Sequence, residues 1–419
     1  MTDAAATVIA ADKPRLPGFA VFAAMIAAAG LPIYIHAPKF YVDTYGVSLA
    51  ALGGVLFVLR MLDFAQDPLL GWLSERTRKA RAAMVTGAVA LLALSMLGLF
   101  AVAPPIAPLW WFALTLTGLF SAFSFLTISF YAQGVQAADS LGPKGHTRLA
   151  SWRETGALLG VCVAAVAPTL LMGTQAPFTA FALGFAILCG GALWAMRGQW
   201  SAAALPKSPE SGFRIVLRDP TARWLLVLAL VNATPVAVSS TLFLFFVESR
   251  LDAPGMEGPL LLLFFLAAAA SAPLWGRAAA RFGAKRSLLS GMVLSIVAFA
   301  GAALLGAGDT ALFALVCLGS GAALGADLTL LPAIFARRMA RIAPTAAEGF
   351  GLWSLVSKFT LAFAAVALLP LLETTGFTTG PDNDPQALRM LTILYAVVPC
   401  VLKLVAITLL TAIRLEEDD

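Results

Sequence analysis

Hydrophobic positions along this chain fall into long blocks that short polar segments separate. Twelve blocks are about 20 residues or longer, which is the length that an α-helix needs to cross a hydrocarbon core of ~30 Å. The blocks lie at residues 18–38, 48–73, 83–103, 108–134, 152–172, 177–197, 221–247, 257–280, 287–307, 311–336, 349–371 and 386–413. The pattern predicts an all-α membrane protein with twelve transmembrane helices.

The first block contains residues that are expected to interrupt its helix, namely Pro32, His36 and Pro38. Interruptions of this kind occur in helices that line a transport path. The 17 residues before the block lack a short apolar core followed by a small-residue cleavage site. We therefore expect no cleaved signal peptide and a first helix that is retained.

Composition agrees with a chain whose solvent is the lipid bilayer. Hydrophobic residues make up 60% of the 419 positions and charged residues 12%, with a mean hydropathy of +0.88. Soluble globular chains have about 45–50% apolar and about 25% charged residues. A water-soluble fold is excluded, and the bilayer is an expected partner.

Several function classes find no support in the sequence. The net charge of +5 does not indicate nucleic-acid binding, because Lys and Arg lie in short clusters between apolar blocks rather than in one stripe. No phosphate-binding loop, dinucleotide-binding glycine pattern or H-E-x-x-H motif occurs. The four cysteines lie within apolar blocks and are interpreted as buried hydrophobic residues. We predict neither an enzyme nor an ATP-driven pump, and no cofactor apart from a coupling ion.

The positions of Lys and Arg predict the orientation in the membrane. Of the 28 residues, 22 lie in the terminal and alternate polar segments, three in the opposite segments and three within blocks. Short cytoplasmic loops carry the excess of these residues. Both termini are therefore predicted to be cytoplasmic, and a bacterial inner membrane is the expected location.

A repeat divides the chain into two halves. Pro68-Leu-Leu-Gly71 ends the second block, and Pro273-Leu-Trp-Gly276 ends the eighth, 205 positions later. Residues 198–220 form the longest polar segment on the predicted cytoplasmic side and are interpreted as a linker. We predict a six-helix bundle at 1–197 and a second at 221–419, the parallel repeat of the major facilitator fold, working as a monomer.

Three charges within the second block are candidates for function. Arg60, Asp63 and Asp67 fall within an arc of ~60° on one helix face, at 100° per residue. Each ionisable group in a membrane helix costs roughly 2.5–3.5 kcal/mol on insertion scales and usually faces a cavity or a partner. The repeat-related positions carry Phe265, Ala268 and Ala272, so the scaffold itself does not require the charges.

Two interpretations of these charges remain open. An Arg–Asp pair would hold helices together, whereas two carboxylates partly balanced by Arg60 would form an anionic pocket. Oxygen ligands suit Na⁺, a hard cation, and close like charges favour protonation of one carboxylate. Asp63 and Asp67 are thus the candidate site for a coupling Na⁺ or H⁺.

Further buried charges lie in the second half. Lys358, in the middle of span eleven, is either an ion-pair partner for a buried Asp or a cation that links the halves or meets the solute. Asp327 in span ten is a candidate partner for Lys358. Lys403 in span twelve has a long stem that can reach the membrane surface, and for it and Asp327 structural and functional roles stay open.

The segment from Arg60 to Trp72 reads R-x-x-D-x-x-x-D-P-x-x-G-W and is followed by S-E-R-T-R. It resembles the signature of the glycoside–pentoside–hexuronide:cation symporters, the melibiose permease family. LASWRETGALLG at 149–160, PLWGRAAARFGAKR at 273–286 and WSLVSKFTLAFA at 353–364 extend the resemblance over nearly the whole chain.

The resemblance implies residue roles. The family's cation site corresponds to Asp63 and Asp67, with Ser124 as the small hydroxyl residue of helix four and Gln66 as the amide. Its sugar site corresponds to Tyr131, Arg153 and Lys358.

Two positions depart from the sugar site of the family. The two carboxylates that hold the sugar in melibiose permease correspond to Ala27 and Thr127. A separate departure concerns the family's gating contacts, since its acidic Ala-Asp pair at the cytoplasmic end of helix ten corresponds to Ala336-Arg337. We therefore expect the cation-binding residues of the family in this chain, but not the two carboxylates that bind a galactoside.

Three functions remain in competition after the sequence alone. The first is cation-coupled symport of a small sugar-like, glycoside, modified or anionic solute by alternating access. The second is a carrier of lysolipids or other amphiphiles, and the third is a non-transporting receptor or assembly factor of the same fold. The third predicts that neutral variants of Asp63 and Asp67 keep function.

Overall fold

A computed structural model describes residues 14–200, 213–342, 347–377 and 383–413. This part of the chain forms helices and no strands. The α-helices are α1 (Leu16–Tyr45), α2 (Leu49–Arg76), α3 (Arg81–Phe100), α4 (Pro108–Asp139), α5 (Gly145–Leu170), α6 (Pro177–Ala195), α7 (Phe213–Arg218), α8 (Pro220–Phe245), α9 (Glu257–Phe282), α10 (Ala284–Ala302), α11 (Thr310–Ile342), α12 (Ala347–Glu373), α13 (Pro385–Thr392) and α14 (Val398–Ala412).

The long helices match the predicted spans. A π-helical turn at Ile393–Val397 joins α13 to α14, so these form one span. Over the described residues nine helical segments are long and apolar enough to cross a membrane. Helices α1, α2 and α12 have 30, 28 and 27 residues and are therefore also long enough to cross a membrane. Large apolar side chains such as Leu304, 85% exposed, face outward, where lipid solvates them.

Helix α1 corrects one expectation. Its backbone stays helical from Leu16 to Tyr45, through Pro32 and Pro38, so the predicted interruption is wrong. Each proline removes one backbone hydrogen bond, and membrane helices tolerate that loss when neighbouring groups satisfy the freed carbonyl. The side chain of His36 lies outside the described residues.

The predicted linker is partly helical. Residues 201–212 lie outside the described part, whereas Phe213–Arg218 forms the short helix α7. Asp219 then caps α8 by accepting a hydrogen bond from the backbone N–H of Ala222 at 2.7 Å, and Pro220 takes the first helical position, where its missing N–H costs nothing.

Some hydrophobic cores lie within one half of the chain, and another is shared between the halves. One core draws all its buried residues from 16–200, and another from 237–396. A third core combines Ile128, Ala132 and Val135 of α4 with residues of α7 to α12 and α14. The halves thus have cores of their own and a shared one, while the domain limits drawn from the sequence stay a prediction.

Small residues let helices approach closely within each half. A Cβ added to Gly156 or Gly160 of α5 would lie 2.1 or 2.3 Å from a backbone oxygen of α1. A Cβ added to Gly321 of α11 would lie 2.2 Å from the Phe264 oxygen of α9. Spacing by four along a helix places such glycines on one face, as in membrane helix pairs generally.

The glycines of the repeated motif lie where the halves meet. A Cβ on Gly71 of α2 would lie 3.2 Å from the Ala347 oxygen of α12, and one on Gly276 of α9 would lie 2.8 Å from the Ser151 Cβ of α5. Ser151 Oγ also donates to the Ala272 oxygen at 3.2 Å. Both contacts occur at the predicted cytoplasmic ends of these helices, so the repeat marks the contact between halves.

Candidate functional site

Helix α2 carries two buried carboxylates at the boundary between the halves. Asp63 is 4% exposed and Asp67 is fully buried. Their spacing of four places both on one face of α2, which packs against α4 of its own half and α12 of the other. Pro68 follows inside the helix and leaves the carbonyl of residue 64 without its usual intrahelical donor.

The ammonium group of Lys358 occupies the space between these acids. Its Nζ donates to Asp67 Oδ1 at 2.9 Å and to Ser124 Oγ at 2.7 Å, and it lies 3.7 Å from Asp63 Oδ2. Three side-chain oxygens from α2 and α4 therefore surround a cation that α12 supplies. This is the ligand chemistry expected for a small hard cation.

A second layer of polar groups orients the two acids. Ser354 Oγ donates to Asp67 Oδ2 at 2.7 Å, one helical turn before Lys358. Gln66 Nε2 donates to Asp63 Oδ1 at 2.7 Å, and Ser121 Oγ donates to Gln66 Oε1 at 3.0 Å. Both carboxylates are thus hydrogen-bonded on named oxygens, which holds buried charge in one geometry.

Helix α4 places Ser121 on the same face as three residues inferred from the family resemblance. Ser121, Ser124, Thr127 and Tyr131 recur at intervals of three or four and so share one helix face. Ser121 and Ser124 contact the acid site, and Thr127 and Tyr131 line a cavity beside it.

The cavity has a volume of about 280 Å³ and lies between α4 of the first half and α8, α11 and α12 of the second. Its wall is mainly apolar and includes Phe350 and Trp353. The polar side chains that line it are Thr127, Tyr131, Asn232, Asp327, Ser354 and Ser357. Ser354 belongs to both the cavity and the acid site, so the two are adjacent.

Arg153 lies beneath Tyr131. Its guanidinium carbon is 3.8 Å from the centre of the Tyr131 ring, and its Nε donates to Glu154 Oε1 at 2.7 Å. The hydroxyl of Tyr131 donates to the same Glu154 oxygen at 3.0 Å. Arg153 is 4% exposed and is not among the residues that line the cavity, whereas Tyr131 is.

Lys403 and Asp327 form a second buried pair, in the second half alone. Lys403 Nζ donates to Asp327 Oδ2 at 2.5 Å and to Asn232 Oδ1 at 2.6 Å. The expectation that Asp327 pairs with Lys358 is therefore wrong, as is a surface-reaching Lys403, which is 1% exposed. An amide and a carboxylate of neighbouring helices satisfy the ammonium in the interior, so its stem does not extend to the membrane surface.

The described residues do not resemble a transition-metal site. Among them no group of three or more His, Cys, Asp or Glu side chains could hold a metal ion. A Na⁺ ion at Asp63 and Asp67 would find a hydroxyl oxygen on Ser124, whereas Gln66 presents its amide nitrogen to Asp63 and its oxygen to Ser121. The side chain of Arg60 lies outside what the structure describes.

Sequence reasoning missed four polar residues of these sites. Ser354 and Ser121 each had a spacing signal, since Ser354 lies four residues before Lys358 and Ser121 three before Ser124. Glu154 adjoins Arg153 in the chain. Asn232 had no such signal, because only the packing of α8 against α14 brings it to Lys403.

Comparisons with known proteins bear on the family and the fold. A family model described as MFS/sugar transport protein matches residues 16–417, and the likeness to melibiose permease is consistent with it. A search of curated proteins finds no match.

Similar solved structures include two crystal structures of a bacterial homologue of the iron transporter ferroportin in the outward-facing state. The first has a TM-score of 0.71 and 16% identity, covering 95% of this chain and 97% of that one. The second, with soaked iron, has a TM-score of 0.69 and 15% identity over the same shares. Likeness at these identities shows the fold alone. Together with the family match, it shows that this chain is an all-α, multi-pass membrane transporter rather than an enzyme, and that it belongs to the MFS/sugar transport protein family.

Proposed function

We propose that the protein is a cation-coupled secondary transporter, which symports a small sugar-like, glycoside or modified solute with Na⁺ or H⁺. It would work as a monomer in a bacterial inner membrane, without a cofactor other than the coupling ion. The observation that carries this proposal is the Lys358 ammonium held by Asp67, Asp63 and Ser124. That oxygen cluster already binds a cation, which the protein itself supplies from its other half.

The geometry supports an exchange of cations as the coupling step. A Na⁺ ion or a proton that binds Asp63 and Asp67 removes the charge that holds Lys358 in place. Release of Lys358, together with Ser354, would then break the polar tie between α12 and α2. Because α2 and α12 belong to different halves, that release would favour the rocking motion of alternating access.

Solute and ion would communicate through α12. Ser354 and Ser357 line the cavity, and Lys358 follows directly in the chain. A solute that contacts these serines biases the position of the helix turn that carries the ammonium. The coupling energy is the difference in solute affinity between the states with Lys358 held and released.

The test is the response of Lys358→Met to cations. Removing the tethered ammonium leaves two buried carboxylates that require another cation. In lipid nanodiscs, we expect Na⁺ to raise the unfolding temperature at a concentration about tenfold lower than in wild type. If the coupling ion is H⁺, the variant gains stability as pH falls, relative to wild type.

Two further variants serve as controls for this experiment. Lys358→Arg keeps a cation in the cluster and is expected to respond as wild type does. Adding Asp67→Asn to Lys358→Met removes one of the buried charges and should weaken the new response. The proposal fails if Lys358→Met responds to Na⁺ and to pH as wild type does.

A further inference from the structure

One buried carboxylate oxygen of a residue that lines the central cavity has no hydrogen-bond partner. It is Oδ1 of Asp327, which is buried and accepts no hydrogen bond from a described group, although Oδ2 of the same carboxylate accepts one from Lys403 at 2.5 Å. Asp327 is 8% exposed and lines the cavity. A buried carboxylate oxygen without a partner costs about 1–3 kcal/mol or more, which a donor from the cavity would recover.

The polar atoms around the cavity are mainly acceptors. The hydroxyl hydrogens of Thr127 and Ser357 are used on the Phe123 and Trp353 carbonyls. Those of Tyr131 and Ser354 are used on carboxylates, Glu154 and Asp67 respectively. Their oxygens remain available to accept a further hydrogen bond.

Few donors balance these acceptors. Among the described side chains that line the cavity, the Asn232 amide and the Trp353 indole have N–H groups that donate to no described acceptor. The oxygen of that amide already accepts from Lys403 at 2.6 Å. A solute that fits this wall must therefore donate more hydrogen bonds than it accepts.

We infer that Asp327, positioned by Lys403 and Asn232, is the group that binds a hydroxyl of the transported solute, and that it selects neutral hydroxylated solutes against carboxylates. This inference rests on the proposed function, because it assumes that the cavity is the solute site. The terminal torsion of an Asp side chain has a broad energy minimum, so a small rotation turns Oδ1 toward a donor in the cavity.

Hydrogen bonding and charge disfavour the other solute classes. A carboxylate solute would bring further acceptor oxygens to a wall whose available polar atoms are mainly acceptors. A cationic solute would meet the Lys403 ammonium, which already neutralises Asp327 from 2.5 Å. A neutral polyol places its hydroxyls on the acceptors, and its apolar C–H face packs on the rings of Phe350 and Trp353.

The experiment separates the acceptor at position 327 from the ion pair around it. Both test proteins carry Lys403→Met, because an apolar replacement of a whole buried pair is often tolerated. One adds Asp327→Asn, which keeps a carbonyl oxygen, and the other adds Asp327→Leu, which has no polar atom. Binding is measured by calorimetry in lipid nanodiscs, with the phenyl β-glycosides of glucose, galactose and xylose and with phenyl β-glucuronide.

We expect at least one neutral glycoside to bind wild type, and phenyl β-glucuronide to bind about tenfold more weakly or not at all. The Asn double variant should keep its affinity within about threefold, and the Leu double variant should lose about tenfold or more. The inference is overturned if no neutral glycoside binds, if the glucuronide binds as well as the neutral glycosides, or if the two double variants bind alike.

The same titrations, repeated in Na⁺ and in K⁺ and at two pH values, distinguish this inference from the proposed function. Glycoside affinity that depends on the acceptor at position 327, but is the same in Na⁺ and K⁺ and at both pH values, would refute cation coupling and support the Asp327 site. Binding that depends on cations but not on that acceptor would refute the Asp327 site alone.

Discussion

At the scale of single residues, buried ion pairs connect particular helices. Lys358 with Asp67 connects α12 to α2, and Lys403 with Asp327 connects α14 to α11. Buried pairs recover their desolvation cost only with good geometry and further hydrogen bonds. The first pair crosses between the halves and must rearrange when they move, whereas the second stays within one half.

A third ion pair joins Asp219, which precedes the span of α8, to Arg338 of α11. Asp219, the cap of α8, receives a bidentate contact from Arg338 of α11. Burial raises the pKa of Asp219, but hydrogen bonds from Arg338 and the Ala222 N–H, with the charges of Arg338 and Arg223, outweigh it, so this pKa lies below its usual value.

The lowered pKa gives a pH-dependent contribution to stability. A carboxyl whose pKa is lower in the folded state stabilises the fold above its unfolded pKa of about 4. That stabilisation is lost as pH falls from there through the folded pKa. We expect Asp219→Asn, which keeps the cap acceptor, to unfold at a lower temperature than wild type at neutral pH. The gap should narrow below pH of about 4 in thermal unfolding, and a gap that stays constant would contradict this role.

At the scale of elements, close contacts between helices depend on glycine. The glycines of the repeated motif differ in how much room they leave for an added Cβ. A Cβ at Gly276 would come within 2.8 Å of Ser151 Cβ, whereas one at Gly71 would stay 3.2 Å from its nearest neighbour. A contact shorter than about 3 Å requires the neighbouring atoms to move, since protein interiors are close-packed. Of the repeat-related contacts, α9 against α5 is therefore the more sensitive to an added methyl group.

We accordingly expect Gly276→Ala to weaken the contact between the halves at the predicted cytoplasmic ends more than Gly71→Ala does. A reporter Ala233→Cys on the cavity wall, in a background without the native cysteines, should react faster with a thiol reagent added from the cytoplasmic side. Gly190→Ala in α6 serves as the control, because nothing lies within 4 Å of its added Cβ. Equal reactivity in Gly276→Ala and the control would refute this prediction.

At the scale of the whole molecule, the halves meet along α2 with α12 and α5 with α9, and the cavity lies between α4 and the second half. The motif glycines place these contacts at the predicted cytoplasmic ends. Closing one end of a central cavity while leaving a site between the halves is the arrangement that alternating access requires. Solute exchange through the cytoplasmic end then requires α9 to separate from α5.

Linking these helices should prevent that separation. Ser151→Cys combined with Gly276→Cys places two thiols close enough to bond after a small backbone shift. Under mild oxidation we expect rapid cross-linking, and loss of cytoplasmic-side labelling at Ala233→Cys that a reductant restores. Ser151→Cys with Gly190→Cys is the matched pair that should not cross-link. Labelling that continues after complete cross-linking would show that the cytoplasmic path lies elsewhere.

The sequence alone predicted much of the fold and part of the site. The length and apolarity of the blocks predicted the spans. In a bilayer every backbone N–H and C=O group needs a hydrogen-bond partner within the protein, and a helix provides these partners within one segment. The face shared by Asp63 and Asp67 was also predictable, since helical periodicity is local. The π-helical turns at Phe246–Arg250 and Ile393–Val397, whose Phe246 and Tyr395 rings stack with centroids 4.2 Å apart, had no sequence signal.

What the sequence by itself determined is therefore the membrane fold and the shared helix face of Asp63 and Asp67 on α2. What only the tertiary structure decided is which lysine meets which acid. Lys358 joins Asp67, and Lys403 joins Asp327, although both lysines lie in apolar blocks. Local periodicity determines the face of one helix, whereas the partner across a contact depends on how separate helices pack, and that packing also leaves one Asp327 oxygen without a partner beside the cavity.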